Sequence, residues 1–444
     1  MQKRNDGKSG SLSRRDFLKG GTLAGVALGF PTIVPASVFG ANAPSNRIVM
    51  GVIGGGEMGK GDMSGLAAQP GVHYVAVCDV HGQHRERIKR MLDQRYENSD
   101  CAMYGDFREM LARGDLDAVN IAVPDHWHAI PAIAAAKAGL HIYGEKPFAR
   151  SIREGRAMVN AIQQNGIVWQ TGSQQRSAAN FRHACELVRN GRLGKVRRVE
   201  VGLPRGGQGG VKPPAPVPAD LDWDFWLGPA PWRPYSEFGL KNGPHWHWRW
   251  IRDFSGGQLT DWAGHHIDIA HWGLGLERTG PETIEGSATY PTDGVSDTPM
   301  KYRFTCKYAN GVEIVVADNE QFPRGGTWFG GVTWYGENGW LYVNRGMLDS
   351  SPKSIMHEVI GAGEIRLYRS DNHHANFIEC VRSRQPTVAP PEVGHRSISV
   401  ALLGEIAMLT GRKIRWNPQT EEIIGDPGAA AMLGRTYREP WTLG

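Results

Sequence analysis

The 444-residue chain has no uninterrupted apolar run near the ~20 residues that a membrane-spanning helix needs, so a soluble mature protein without a membrane span is expected. Cysteine is sparse: Cys78, Cys101, Cys185, Cys306 and Cys380 are odd in number, with no CxxC pair and no metal-ligand spacing. That argues against a disulfide framework or a zinc site and leaves structural thiols. Surplus charge is scarce too. Of the net +5, most belongs to residues 1–40, where Lys3, Arg4, Lys8, Arg14, Arg15 and Lys19 face only Asp6 and Asp16. The rest of the chain has no basic tract to follow a phosphate backbone, and no nucleic-acid partner is expected.

What the chain does have is length, since 444 residues exceed what one core usually supports and imply at least two domains. It also has an unusual beginning. Polar and basic residues lead into Ser13-Arg14-Arg15-Asp16-Phe17-Leu18-Lys19, then a moderately apolar stretch from Gly20 to Val34 and a small-residue region from Pro35 to Ala43. This resembles a twin-arginine signal, which makes residues 1–43 an export segment and implies a periplasmic or otherwise exported protein that folds before it leaves the cytoplasm.

The segment "RIVMGVI", residues 47–53, reads as a buried strand and runs into Gly54-Gly55-Gly56-Glu57-Met58-Gly59, a G-x-G-x-x-G turn. Gly54 suits the tight turn, Gly56 the approach of a pyrophosphate, and Gly59 the packing of helix on strand. Orphan amides of the helix starting near Glu57 and Met58 then face the phosphates. A second strand ends at Cys78-Asp79, where Asp79 is placed to receive a ribose 2′-hydroxyl and to repel a 2′-phosphate, so NAD is expected over NADP. Two more strands end in "PDHWH" (Pro124 to His128) and "GEKP" (Gly144 to Pro147). Alternating strands and helices predict a doubly wound parallel sheet, with ligands at the carboxyl ends of its strands. Gly54, Gly56, Glu57, Met58, Gly59, Asp79, Pro124, His128, Glu145 and Lys146 are therefore the expected cofactor contacts.

Taken together, the glycine turn, Asp79, "AVPDHWHA" and "EKP" resemble the glucose-fructose oxidoreductase, inositol dehydrogenase and rhizopine catabolism family, Gfo/Idh/MocA, over about 400 residues. The resemblance implies an α/β chain: an NAD-binding Rossmann domain over 44–170, then a substrate-binding and oligomerisation domain over 171–444. The latter is expected to hold a large, open, mostly antiparallel sheet that joins a homodimer or homotetramer. Tight Asn-Gly turns at 310–311 and 338–339 fit such hairpins.

The second half opens on "QTGSQQR", whose Gln174 and Arg176 are expected to crown the cleft. In "PHWHWRWIRDF" strict alternation predicts a strand with His245, His247 and Arg249 on one face and three tryptophans on the other. His247 and Arg249 thus become substrate-binding candidates. In "GGQLTDWAGHHIDIAHW", Asp261 and His265 lie four apart on a helix, where a carboxylate can orient an imidazole for proton transfer. Asp261, His265 and Asp268 match the family's D-x-G-x-H-x-x-D pattern, with Ala263 at its usual glycine. A metal site built from Asp261, His265 and the 245/247 strand is the alternative, but no metal is expected. His374 and His395 read as structural, although His374 could reach the cleft.

Together with these residues, the resemblance implies an NAD-dependent oxidoreductase acting on a hydroxyl of a sugar, glycoside or cyclitol. His265 is expected to take the hydroxyl proton, with Lys146 and Asp261 as its catalytic companions. Because the far side of the membrane holds no ready NAD pool, the cofactor is expected to stay bound and be recycled in place. Redox-assisted glycoside cleavage is the second reading, and a non-catalytic sugar sensor the third.

Overall fold

A computed structural model describes residues 46–443 apart from 208–209, 211–212, 237–246, 323 and 325–327; residues 1–43, read above as an export signal, and His245 lie outside the described residues. Within Arg47–Gly444, six strands form the first sheet: β1 (Ile48–Ile53), β2 (Val72–Cys78), β3 (Ala102–Tyr104), β4 (Ala118–Ile121), β5 (His141–Gly144) and β6 (Trp169–Thr171). Their order is β3-β2-β1-β4-β5-β6, and every pairing is parallel. The near-complete burial of β1, β4 and β5 is what a sheet covered on both faces requires.

The register of this sheet positions the site. Cys78 pairs with both Tyr104 and Ile53, Ile53 with Ile121, Ile121 with Gly144, and Gly144 with Thr171. All six strands therefore end in one line. The residues that follow them, Gly54, Asp79, Ala122 to Pro124, Glu145, Lys146 and Gly172, are delivered to a single edge.

Connecting helices are α1 (Glu57–Ala67), α2 (Gly82–Tyr96), α3 (Phe107–Leu111), α4 (Ala129–Lys137) and α5 (Ile152–Gln164). Beyond them come α6 (Ala179–Arg189), α7 (Trp223–Leu227), α8 (Gln258–Leu274), α9 (His373–Ser383) and α10 (Pro391–Thr410). α9 comes from the far end of the chain, yet its Phe377, Ile378 and Val381 join the core formed by β1, β2, α1 and α2.

A second sheet comprises β7 (Arg198–Leu203), β8 (Thr283–Thr289), β9 (Lys301–Lys307), β10 (Glu313–Asp318), β11 (Gly331–Gly336), β12 (Gly339–Val343), β13 (Leu348–Ser351), β14 (Ile414–Asn417) and β15 (Glu422–Ile423). Its order is β13-β12-β11-β7-β10-β9-β8-β14-β15, and only β7 and β10 run parallel. Gly311 makes the β9–β10 turn at φ +82°. The β11–β12 hairpin differs slightly from expectation: Gly339 already pairs with Gly336, so Glu337 and Asn338 form the turn. α8 packs on β7, between α6 and α10, which anchors the helix bearing Asp261 and His265 to the sheet.

All five cysteines are buried and unpaired. Among the described residues no helix is long and apolar enough to cross a membrane, and no group of three His, Cys, Asp or Glu side chains stands ready for a metal.

Candidate active site

A cavity of about 700 Å³ opens at the carboxyl edge of the parallel sheet, within the ~300–1,000 Å³ typical of ligand pockets. The glycine turn forms one end of it. Gly54 has φ +92°, and a Cβ there would lie 2.3 Å from the Ala122 carbonyl oxygen; one at Gly59 would lie 1.8 Å from that of Gly54. Gly56 is different: a Cβ there would meet nothing within 4 Å, because its face is the cavity wall. α1 starts immediately after Gly56 without a side-chain cap, so its first amides are available to a phosphate. Met58 and Glu57 line the same end.

Asp79 faces the cavity as a carboxylate. It accepts hydrogen bonds from the amides of Gly55 (2.7 Å) and His81 (2.8 Å), and its Oδ2 lies 3.2 Å from His84 Nδ1. Burial pushes its pKa up, but His84 and the two amides outweigh that and hold it below the usual range. Arg85 bonds the Asp79 carbonyl oxygen, which commits it to the backbone. Two expected cofactor contacts are not on the wall. Gly59 packs under Gly54, and His128 braces the loops after β4 and β5, its Nδ1 2.6 Å from the Pro147 oxygen and its Nε2 2.9 Å from the Val123 oxygen. Imidazole nitrogens aimed at two carbonyls have no capacity left for a ligand.

At the other end of the cavity stand Pro124, Glu145, Lys146 and Arg249. Lys146 donates to Asp261 Oδ1 at 2.8 Å and lies 3.8 Å from Glu145 Oε2; Arg249 Nε lies 3.7 Å from Asp261 Oδ1. Burial disfavours the Lys146 ammonium, but Asp261 and Glu145 outweigh it and raise its pKa. Lys146 is therefore a proton-bearing hydrogen-bond donor. His265 is the opposite case. Its pKa falls well below the ordinary value through burial and the charges of Lys146 and Arg345, so the ring is neutral and can accept a proton.

Register separates the two adjacent histidines. His266 lies with Nε2 2.7 Å from the Phe329 carbonyl oxygen and Nδ1 3.4 Å from the Gln175 amide, and its ring stacks on Trp262. His265 carries no such tie at Nδ1. The helix approaches Lys146 at Gly264, where a Cβ would come 3.2 Å from the Lys146 Cβ. Close approach thus falls at Gly264, and Ala263 is harmless.

Three expectations are corrected. Asp261 does not orient the His265 ring through Nδ1; its Oδ1 goes to Lys146, because a charge-assisted bond outweighs one to a neutral imidazole. Arg176 does not reach the cleft. It is buried in a two-pronged pair with Asp268, Nε to Oδ2 2.6 Å and Nη2 to Oδ1 2.9 Å, which takes Asp268 out of the site as well. The predicted tryptophan strand is, over its described part, a 3₁₀ turn at Trp248–Trp250, so Trp248 and Arg249 both line the cavity while half-buried His247 caps the turn outside it. Gln174 donates to Glu145 Oε1 at 3.3 Å rather than to open space. His374 packs on Tyr143 beside Asp62, and buried His395 holds Glu421, so both are structural. Arg345 was not foreseen: no motif surrounds it, although its charge reaches Asp261, Glu145 and His265.

Glu145 supplies a pH signature. Its carboxyl is pushed up to about 8, first by burial and then by the Asp62 carboxyl, with Lys146 opposing. A folded pKa above the unfolded one means that the native state binds more protons between about pH 4.5 and 8, so this group's contribution to stability is present at low pH and is lost as pH rises through that window. Glu145→Gln should therefore gain on the parent by roughly 1 kcal/mol per pH unit at most across it. Urea midpoints of the ligand-free proteins from pH 5 to 8.5 measure this, and parallel profiles would refute it.

Comparison with known proteins agrees with this geometry. Residues 48–173 match a model described as an oxidoreductase family's NAD-binding Rossmann fold, and residues 205–443 match the C-terminal alpha/beta domain of the same family. A levoglucosan dehydrogenase of Pseudarthrobacter phenanthrenivorans is 34% identical over 153 residues, 33% of this chain and 38% of that protein. A glycosyl hydrolase family 109 protein of Solibacter usitatus is 33% identical over 156 residues, 33% of this chain and 36% of that protein. The chain thus matches little more than a third of the length of either relative. A solved levoglucosan dehydrogenase complex with NADH and levoglucosan shares the fold, with a TM-score of 0.60 at 18% identity over 83% of this chain and 99% of the other.

Proposed function

The chain belongs to the Gfo/Idh/MocA oxidoreductase family, and on that premise we propose that it oxidises a hydroxyl of a sugar, glycoside or cyclitol by hydride transfer. The observation that carries this reading is the pairing of a charged Lys146, which lines the cavity and is held by Asp261, with a neutral buried His265 one helical turn beyond Asp261. The open face at Gly56 and the carboxylate of Asp79 fit NAD rather than NADP. NAD, when bound, supplies the hydride acceptor. Lys146 donates a hydrogen bond to the substrate oxygen and stabilises it as the O–H bond weakens, while His265 takes the hydroxyl proton and the carbon becomes a carbonyl. Asp261 positions Lys146, and Arg249 limits the negative charge that Asp261 presents to the substrate.

The twin-arginine-like "SRRDFLK" supports export of the folded protein with its dinucleotide aboard, and hence a cycle completed without cofactor exchange. Self-association through the nine-stranded sheet belongs to the same proposal. A second reading, redox-assisted glycoside cleavage, is favoured by the likeness to a family 109 glycosyl hydrolase. In it, transient oxidation at C3 acidifies the C2 proton, whose removal permits elimination of the C1 substituent, followed by hydration and re-reduction.

One experiment tests both. Dialysed protein is denatured for mass analysis of its nucleotide, and native protein is incubated with sugar pairs and glycosides in deuterated water while absorbance at 340 nm is followed. Bound NAD, turnover without added nucleotide and no accumulating free NADH are expected. Deuterium at C2 of released sugar selects the glycosidase reading. Product formation only with supplied NAD, in step with free NADH, would defeat the closed cycle.

A further inference from the structure

α8 carries Trp262 next to Asp261, and its ring meets three other groups. Trp328 packs edge-on at 5.5 Å, Phe329 lies nearly parallel at 6.4 Å, and the Arg345 guanidinium covers the Trp262 face at 4.7 Å. Trp262 also touches the His265 ring edge-on at 5.4 Å, so the cluster is continuous with the proposed proton acceptor. Trp328 is 70% exposed although it contacts both Trp262 and Phe329. Trp328 thus packs on two aromatic neighbours while presenting most of its ring to water.

Charge adds a second observation. Lys146, Arg249 and Arg345 surround one stable carboxylate, Asp261, which Lys146 already occupies at 2.8 Å. Glu145 does not redress the balance near neutral pH, because its carboxyl holds its proton. Among the described residues no carboxylate lies in ion-pair contact with Arg345, which is exposed and stacked only on Trp262. The cluster thus joins an apolar ring face to a cation that, among the described residues, has no carboxylate in ion-pair contact. Neutral sugars use the first feature alone, and a sugar acid uses both.

We propose that Trp328, Trp262 and Arg345 form a subsite for an anionic carbohydrate ring, a uronic acid whose apolar face lies on Trp328 and whose carboxylate pairs with Arg345, beside the ring that reacts at Lys146 and His265. The inference deepens the proposed function and rests on it for the identity of the reacting group. An Arg–carboxylate pair of this kind is bidentate and charge-assisted, and the sugar's C–H face complements the indole.

The test is calorimetric titration of the dinucleotide-loaded protein with glucuronate, galacturonate and mannuronate against glucose, galactose and mannose. At least one acid should bind about tenfold or more tightly than its neutral partner at low salt, and the gap should narrow at high salt. Arg345→Gln should remove the preference without unfolding an exposed position. Trp328→Ala should weaken acid and neutral partner alike, by about two- to tenfold. Equal binding within every pair, a preference that survives Arg345→Gln, or binding of neither class would overturn the inference. So would a Trp328→Ala protein that changes only its sedimentation, which would make the platform a contact between copies of the chain. The proposed function is read separately, by reduction of the bound cofactor at 340 nm with any sugar.

Discussion

Alanine at Lys146 should slow hydride transfer about 10²- to 10⁴-fold while the protein keeps its fold and its dinucleotide. The reason lies in the electrostatics. Lys146 is buried at the end of β5, and its ammonium is kept charged against the cost of burial by Asp261, to which it donates at 2.8 Å. Its charge also helps to hold the His265 ring uncharged. Removing the ammonium therefore removes the donor to the substrate oxygen and also lets the His265 pKa climb, so less of the base is free at a given pH. The measurement is single-turnover reduction of bound NAD at 340 nm, with nucleotide content and melting temperature as controls, and its pH profile should shift upward in Lys146→Ala. His265→Ala should lose a comparable factor. His266→Ala, by contrast, breaks a bond to the Phe329 carbonyl and should lower stability more than rate. Less than tenfold loss at both Lys146 and His265, with a larger one at His266, would show that the wrong face of α8 has been read.

The parts of this site that were legible in the sequence are those where local covalent geometry dictates position. Gly54 needs a positive φ, Gly59 cannot carry a Cβ against the Gly54 oxygen, and parallel strands in register must deliver their following residues to one edge. Asp79 and Glu145-Lys146 follow from that rule alone. What the sequence did not disclose are choices among partners that only packing decides. Helical spacing places Asp261 and His265 on one face, but not that a lysine 115 residues away would take the carboxylate. Alternating Trp and His residues suggest a strand, yet a 3₁₀ turn brings Trp248 and Arg249 to the same cavity. Arg345 is an ordinary arginine in a loop after β12 until the fold sets it over Trp262. α9, near the end of the chain, joins the core of the first sheet, which no local periodicity could announce.

Asp268 gives the sharpest case, and the largest expected effect on stability. By spacing it is the third member of the Asp261, His265, Asp268 pattern, but its carboxylate accepts two bonds from Arg176 and a third from Ser397 Oγ at 2.9 Å, with both charges almost wholly buried. Arg176 in turn lies over the Trp272 ring at 4.8 Å, so the pair pins α8 to the segment after β6 and to α10. Asp268→Ala would strand a guanidinium in the interior. Removing one partner of a buried pair typically costs about 3–5 kcal/mol, whereas replacing both with apolar groups of similar volume is often neutral. Urea unfolding should therefore show a loss of that size in Asp268→Ala and substantial recovery in the Arg176→Met, Asp268→Leu double variant. Hydride transfer per folded molecule, measured at low temperature and corrected for nucleotide content, should stay within about tenfold of the parent, well short of the 10²- to 10⁴-fold expected of a general acid or base. An Asp268→Ala protein that unfolds like the parent but has lost its single-turnover signal would place Asp268 in the chemistry and Arg176 beside the substrate, and the assignment of this pair to the scaffold would fall.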